Sequence, residues 1–282
     1  MRLPKFKLFD YNTPGPGVSK DAPPKKGIVL FWDILSRRFW KMVSLNAIYL
    51  LFSVPLLIIM WFAVYLVLSF MFGELIASDP TMPATFTQIT TYLTCLLYAL
   101  FGGGAICAGM TYVLRNYVID THSWMWSDFR AKSKENLKQG TAAFFIDVVF
   151  ITLMGINFWF YGMLADGSII AYLLQGLMAV IFFIFLLMHA YIYPIMVSFD
   201  MKLFDIYKNS FILAIGKLPR TLLSMALCTL ICGLVTYLAC FVTIYAMLLI
   251  PIIMFAFSAF VNLFITYPVV KKYMAKKPSS NE

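Results

Sequence analysis

Lysine and arginine are missing from three long parts of this 282-residue chain, residues 42–114, 139–201 and 221–270. The last of these parts has no acidic residue either. Charged residues make up 12% of the sequence, whereas a soluble domain carries about 25%. This shortage excludes an ordinary soluble protein and leaves apolar stretches long enough to cross a bilayer, which takes about 20 residues.

Motifs for catalysis, metal binding or nucleotide binding are also absent from the sequence. The two histidines, His122 and His189, form no His-x-x-x-His pair, and no Gly-Lys-Ser/Thr follows the glycines at 102–104. The five cysteines lie in apolar stretches, so no disulfide is expected. Cys228 and Cys232 have a spacing that a metal site could use, but two small buried side chains are the favoured interpretation. We therefore expect no enzyme activity and no cofactor.

The basic residues that are present fall in four segments, 1–41, 115–138, 202–220 and 271–277. Basic residues beside membrane crossings stay on the cytoplasmic side, so the pattern predicts a multi-pass protein of a bacterial cytoplasmic membrane with both termini in the cytoplasm. The net charge of +9 would suggest nucleic acid in a soluble protein. Here membrane lipids with anionic headgroups are the simpler partner, and no nucleic acid is expected.

The predicted fold is an all-α membrane protein with six transmembrane helices and cytoplasmic interfacial amphipathic helices. An extended cytoplasmic leader, residues 1–27, precedes a single transmembrane domain, residues 28–282. Because Pro14-Gly15-Pro16-Gly17 disfavours helix, the leader is expected to be open. The first crossing is longer than a bilayer requires, which predicts tilt or a kink at Pro55. The predicted crossings are 44–70, 91–114, 141–161, 169–197, 221–240 and 245–269.

Three similar tripeptides mark the stretches predicted to lie on the inner surface: Trp32-Asp33-Ile34, Ser127-Asp128-Phe129 and Phe204-Asp205-Ile206. Each precedes a predicted pair of crossings. The pattern indicates three units of interfacial helix plus hairpin, or else a chance similarity, since few residues match.

Small residues are concentrated in the second predicted crossing. Gly104 with Ala108, and Ala105 with Gly109, have the spacing that lets a neighbouring helix approach closely in lipid. The residues predicted to serve helix packing are Gly102, Gly103, Gly104, Ala105, Ala108 and Gly109.

One acidic residue and one histidine lie within predicted crossings, Asp147 and His189. Each is about 10 Å from the inner end of its crossing at about 1.5 Å per residue, and a short loop joins the two crossings. We therefore expect the two side chains to form an intramembrane polar pair, directly or through one intermediary. The pair could relay protons, lock the packing, or leave Asp147 to reach the inner surface.

Several segments, in order along nearly the whole chain, resemble the YesL-like family of bacterial membrane proteins, which is catalogued largely as a domain of unknown function. The resemblance rests on residues 15–18 (GPGV), 39–41 (FWK), 109–116 (GMTYVLRN), 126–129 (WSDF), 193–194 (YP) and 218–221 (LPRT). No single motif among them is chemically specific. Members of that family often accompany carbohydrate ABC importers.

The resemblance implies an accessory integral-membrane subunit of an oligosaccharide ABC importer, assisting assembly, stability or regulation. Its expected partners are permease subunits and, through them, their ATPase. An independent secondary transporter or channel for a small solute is the alternative, and it predicts broken crossings with buried polar groups. The residues predicted to dock a partner are Pro14, Gly15, Pro16, Gly17, Trp126, Asp128, Phe129, Phe204 and Asp205.

Overall fold

A computed structural model describes residues 26–78, 81–164, 168–242 and 253–274. Within these ranges the chain is helical throughout, and helices joined by short turns pack side by side. The helices are α1 (Gly27–Ser78), α2 (Met82–Phe101), α3 (Gly104–Val118), α4 (Met125–Glu135), α5 (Leu137–Leu164), α6 (Ile169–Met196), α7 (Leu203–Gly216), α8 (Leu218–Tyr237) and α9 (Phe255–Met274). A π-helical turn, Leu238–Val242, follows α8.

Helix α1 joins two elements that the sequence analysis separates, the first interfacial stretch and the first crossing. No glycine or proline interrupts residues 28–54, so nothing ends the helix between its amphipathic start and its apolar part. The helix continues through Pro55, so the proline does not end it. The backbone instead leaves helical geometry at Phe72, where φ is −126° and ψ is 16°.

The second predicted crossing, 91–114, is not one helix. Helix α2 ends at Phe101, and α3 begins at Gly104 with its own axis. Gly102 and Gly104 have φ angles of +89° and +60°, which side chains with a Cβ atom rarely adopt. The run of three glycines therefore breaks the predicted crossing. Helix α3 then packs against α4, and most of the basic segment 115–138 lies within this pair of helices and the turns beside them.

Burial is uneven along the long helices. In α6 the residues from Leu187 to Val197 are almost all buried, whereas Ile169 and Leu173 are 74% and 68% exposed. Most of α3 and nearly half of α9 are buried as well. The core therefore lies at the end of the helices where the basic segments begin, and the opposite ends present apolar side chains outward, as they would to lipid.

Among the described residues, five helices are long and apolar enough to cross a membrane, namely α1, α2, α5, α6 and α8. They coincide with the first five predicted crossings, although α2 covers only the first half of 91–114. The sixth predicted crossing, 245–269, lies partly outside the described residues, and its second half belongs to α9. The leader with Pro14–Gly17 lies outside them too.

The three tripeptides lie in α1, α4 and α7, and the third residue of each is buried. Ile34, Phe129 and Ile206 are 0%, 3% and 0% exposed. The burial of Phe129 corrects its prediction as a docking residue, because a side chain packed inside the protein is not free to contact a partner. The residue is buried because α4 folds back against α3.

Candidate functional site at the helix break

The break between α2 and α3 lies against α6. The backbone N–H of Gly104, which has no helical partner at the start of α3, donates to the hydroxyl oxygen of Tyr193 at 3.1 Å. Tyr193 is buried, and Pro194 follows it within α6. A side chain from another helix therefore stabilises the break, because it pairs with one of the backbone groups that the interrupted helix leaves without a partner.

Aromatic side chains fill the space that the glycines leave. A Cβ atom on Gly102 would lie 2.7 Å from Cε2 of Tyr193. A Cβ on Gly103 would collide with the Tyr98 hydroxyl and lie 2.9 Å from that of Tyr49. The glycines are thus required by the packing of three tyrosines from α1, α2 and α6.

The predicted small-residue faces contact other helices of the same chain. Gly104 and Ala105 lie directly against Gly140 of α5, where two backbones meet. Gly109 packs on α4, since a Cβ there would lie 2.6 Å from the Phe129 carbonyl oxygen. This close packing is internal, so these glycines are not available as a docking face.

Asp147 of α5 and His189 of α6 form the direct contact that the sequence analysis predicts. Oδ1 of Asp147 lies 2.9 Å from Nε2 of His189, and the residues are 0% and 4% exposed. Nδ1 of His189 lies 2.9 Å from the Phe185 carbonyl oxygen, which can only accept, so Nδ1 carries a proton. The bond at Nε2 requires a second proton, held by either residue. The pair therefore shares one proton while both side chains are buried.

The surroundings of this pair are mostly aromatic. The His189 ring has its centroid 4.6 Å from that of Phe101 and 4.9 Å from that of Phe185. Tyr207 of α7 approaches from the other side, with its hydroxyl close to the Asp147 carboxyl group. Burial, followed by the neighbouring Asp147 carboxyl group, raises the pKa of Tyr207, so its phenol stays protonated. The phenol is thus a further hydrogen-bond donor beside the pair.

A small cavity of about 50 Å³ adjoins the pair and the break. Tyr49, Cys107, His189, Tyr193 and Asn262 contribute to its wall. Because one water occupies about 30 Å³ of liquid, the space fits one or two waters and is far too small for a sugar. In this conformation the site can hold or pass a proton through water, but it offers no sugar path.

Two asparagines that the sequence analysis did not single out join α9 to its neighbours. Nδ2 of Asn262 donates to the Ala190 carbonyl oxygen at 3.1 Å, and its Oδ1 accepts from the Ser224 hydroxyl at 2.7 Å. Oδ1 of Asn46 accepts from the Ala256 N–H at 2.7 Å. The sequence could have identified both asparagines, since each is a lone amide side chain in an apolar stretch. Tyr193 was harder to identify, because tyrosines are frequent in this chain.

The other predicted docking residues are separated in the structure. Trp126 is 50% and Phe204 is 78% exposed, on α4 and α7 respectively, and Asp205 is exposed beside Phe204. Asp128 has a structural role, because its Oδ2 accepts from the Ser123 hydroxyl at 2.7 Å and the Trp124 N–H at 2.9 Å. It thereby satisfies donors at the start of α4.

These observations define a helical protein with several helices suited to a membrane and a compact polar site at a broken helix. Comparison with known proteins adds no closer assignment: no family model, no curated protein and no solved structure matches this chain.

Proposed function

We propose that this chain is an accessory integral-membrane subunit of an oligosaccharide ABC importer in a bacterial cytoplasmic membrane. It would assist the assembly, stability or regulation of the permease subunits rather than carry the sugar. The choice of a carbohydrate importer rests on the resemblance to YesL-like proteins.

The observation that supports a non-conducting role is the packed interior. The glycine break is filled by three tyrosines, and the cavity beside it measures about 50 Å³. Larger concave spaces of about 780 and 460 Å³ lie beside α4, and one of about 220 Å³ between α1, α2, α5 and α6 has an apolar lining that would not bind a sugar. A protein that acts through its surface fits this arrangement better than one that transports a sugar through its centre.

Exposed aromatic side chains supply a surface for such a partner. Trp126 and Phe204 project from amphipathic helices next to the basic segments, where large apolar side chains are costly in water but suit an interface or headgroup region. We expect one or both of these side chains to contact the permease.

Co-purification in mild detergent tests the proposal. A tagged chain should retain a permease pair through affinity and size-exclusion steps. Replacing Trp126 and Phe204 by Ala should reduce that retention several-fold, since aromatic anchors dominate interfaces. Leu173→Ala serves as the matched control, because Leu173 is 68% exposed at the opposite end of the helices. A chain that elutes alone and supports sugar flux alone in liposomes would contradict the proposal.

A secondary transporter or channel for a small solute is the second candidate, and the helix break is the observation that favours it. Broken crossings beside buried ionisable residues are typical of transporter sites, and here Asp147–His189 lies next to the break. Proton flux into liposomes containing the purified chain tests this reading. Flux that Asp147→Asn abolishes would support it, and liposomes no leakier than protein-free ones would argue against it.

A further inference from the structure

The junction between α4 and α5, residues 130–138, separates two surface cavities of opposite character. One cavity, of about 780 Å³, is lined mainly by polar and charged residues of this junction and of the turn that follows α6. The other, of about 460 Å³, is almost wholly apolar. Lys134 and Leu137 line both cavities, so the two spaces adjoin along the junction.

The polar cavity has an excess of positive charge. Lys132, Lys134 and Lys138 line it, together with the acidic Glu135 and Asp200. Lys132 is neutralised, because its Nζ lies 2.6 Å from Oε2 of Glu135. In the part of the chain that the structure describes, Lys134 and Lys138 form no such ion pair, and both are exposed. Two cations are therefore available to an anion.

Arg115 adds a third positive group behind the wall of this cavity. Its guanidinium donates to the Val197 carbonyl oxygen at 3.0 Å and to the Ser198 hydroxyl at 3.3 Å, and both of these residues line the cavity. Its buried Nε has no hydrogen-bond partner in the described ranges, and no carboxylate there pairs with it. The wall of the cavity is thus held by a half-buried cation without a counter-ion.

The second cavity supplies an apolar surface next to these charges. Its wall includes Phe52, Ile106, Trp126 and Leu137, while Arg130 stands at its rim. Phe52, Trp126 and Leu137 are 45%, 50% and 56% exposed, and the rings of Phe52 and Trp126 lie 6.0 Å apart. Where no permease subunit covers them, water would leave these apolar side chains exposed, whereas an acyl chain would cover them.

We propose that the α4–α5 junction is a binding site for one anionic phospholipid. The phosphate of its headgroup lies in the polar cavity against Lys134 and Lys138, and an acyl chain lies on Phe52, Trp126 and Leu137. An amphiphile satisfies both cavities at once, which neither a free anion nor a neutral lipid does. Basic pockets beside membrane helices on the inner side bind such headgroups.

The test uses Trp126 as its own reporter. The full chain is reconstituted in vesicles of phosphatidylcholine that contain increasing fractions of acyl-brominated phosphatidylglycerol or acyl-brominated phosphatidylcholine. The emission of Trp126 is obtained as wild type minus Trp126→Phe. Half-quenching should occur at a mole fraction at least about tenfold lower for the anionic lipid, since each of the two lysines beside the headgroup contributes on the order of fivefold.

Paired variants decide whether the headgroup is recognised at this site. Lys134→Gln with Lys138→Gln should bring the two half-quenching fractions together. Lys208→Gln with Lys271→Gln removes the same charge from exposed residues that line neither cavity, and it should leave the tenfold difference in place. All variants are first shown to elute as the wild type does in size-exclusion chromatography. Equal quenching by both lipids in the wild type, or loss of the difference in the control pair, overturns the proposal.

A last arm separates a lipid headgroup from a soluble anion. Inorganic phosphate is added at the same ionic strength as a chloride control. The quenching curves should coincide, because the acyl chain holds the lipid in place. If phosphate alone raises the half-quenching fraction of the anionic lipid several-fold, the cavity is a site for free anions and the lipid assignment is wrong.

Discussion

Replacing Gly104 by Ala tests the helix break most directly. Gly104 has a φ of +60°, where a residue with a Cβ atom loses about 1–2 kcal/mol. The new Cβ would also lie 2.8 Å from the Gly140 carbonyl oxygen. That atom belongs to the backbone of α5 and cannot rotate away, so crowding adds about 1–3 kcal/mol. The expected loss of stability is therefore about 2–5 kcal/mol.

Thermal unfolding of the purified protein in detergent, followed by the monodisperse size-exclusion peak, measures this loss. With about 2–4 °C per kcal/mol for a chain of this size, the midpoint should fall by roughly 4–20 °C. Gly176→Ala is the matched control, because Gly176 lies inside α6 with nothing within 4 Å of a built Cβ. The control should be neutral or slightly stabilising, as alanine favours helix by about 1 kcal/mol.

The reasoning fails if Gly104→Ala unfolds at the same temperature as the wild type and Gly176→Ala. Such a result would mean that α2 and α3 form a continuous helix in the protein, or that α5 does not approach the break. The tyrosine packing around Gly102 and Gly103 would then also lose its basis.

Substitutions at three further sites probe the polar contacts in the same assay, with a control at a fourth. Asp147→Ala should lower the free energy of unfolding by about 1–3 kcal/mol, because it leaves Nε2 of His189 unpartnered. Asp147→Asn should cost less than half as much, because its amide can donate to that nitrogen. Equal losses would contradict the description of a shared proton. Tyr193→Phe removes the acceptor of the Gly104 N–H and should cost about 1–3 kcal/mol, while Tyr172→Phe, at an exposed position, should cost nothing measurable. Asn46→Ala should cost about 1 kcal/mol, and a wild-type midpoint would show that its contact with the start of α9 is not needed.

The pairing of Asp147 with His189 was predictable because the helical rise and the short loop between two crossings fix the depth of each residue. The break at Gly102–Gly104 was not predicted, although its glycines were noticed. Small residues at that spacing are compatible with a straight, closely packed helix and with a broken one. Only the positions of Tyr49, Tyr98 and Tyr193 distinguish the two, and those side chains come from three different helices.

The predicted docking residues also include differences that the sequence pattern did not distinguish. Trp126, Phe129 and Phe204 are all large apolar residues on amphipathic helices, and their sequence pattern treats them alike. The structure separates them, because α4 folds against α3 and buries Phe129 while Trp126 and Phe204 stay exposed. Which face of an amphipathic helix is covered depends on the neighbouring helix.

By itself, the sequence indicated the class of this protein. Charged residues are almost absent from apolar stretches long enough to cross a bilayer, and such stretches are typical of membrane helices. The sequence also predicted the contact between Asp147 and His189, which follows from residue counts along two regular helices. The tertiary structure alone decided where α2 ends, which glycines meet which tyrosines, and which cations lack a carboxylate. Those features depend on contacts between residues far apart in the chain, and local periodicity carries no record of them.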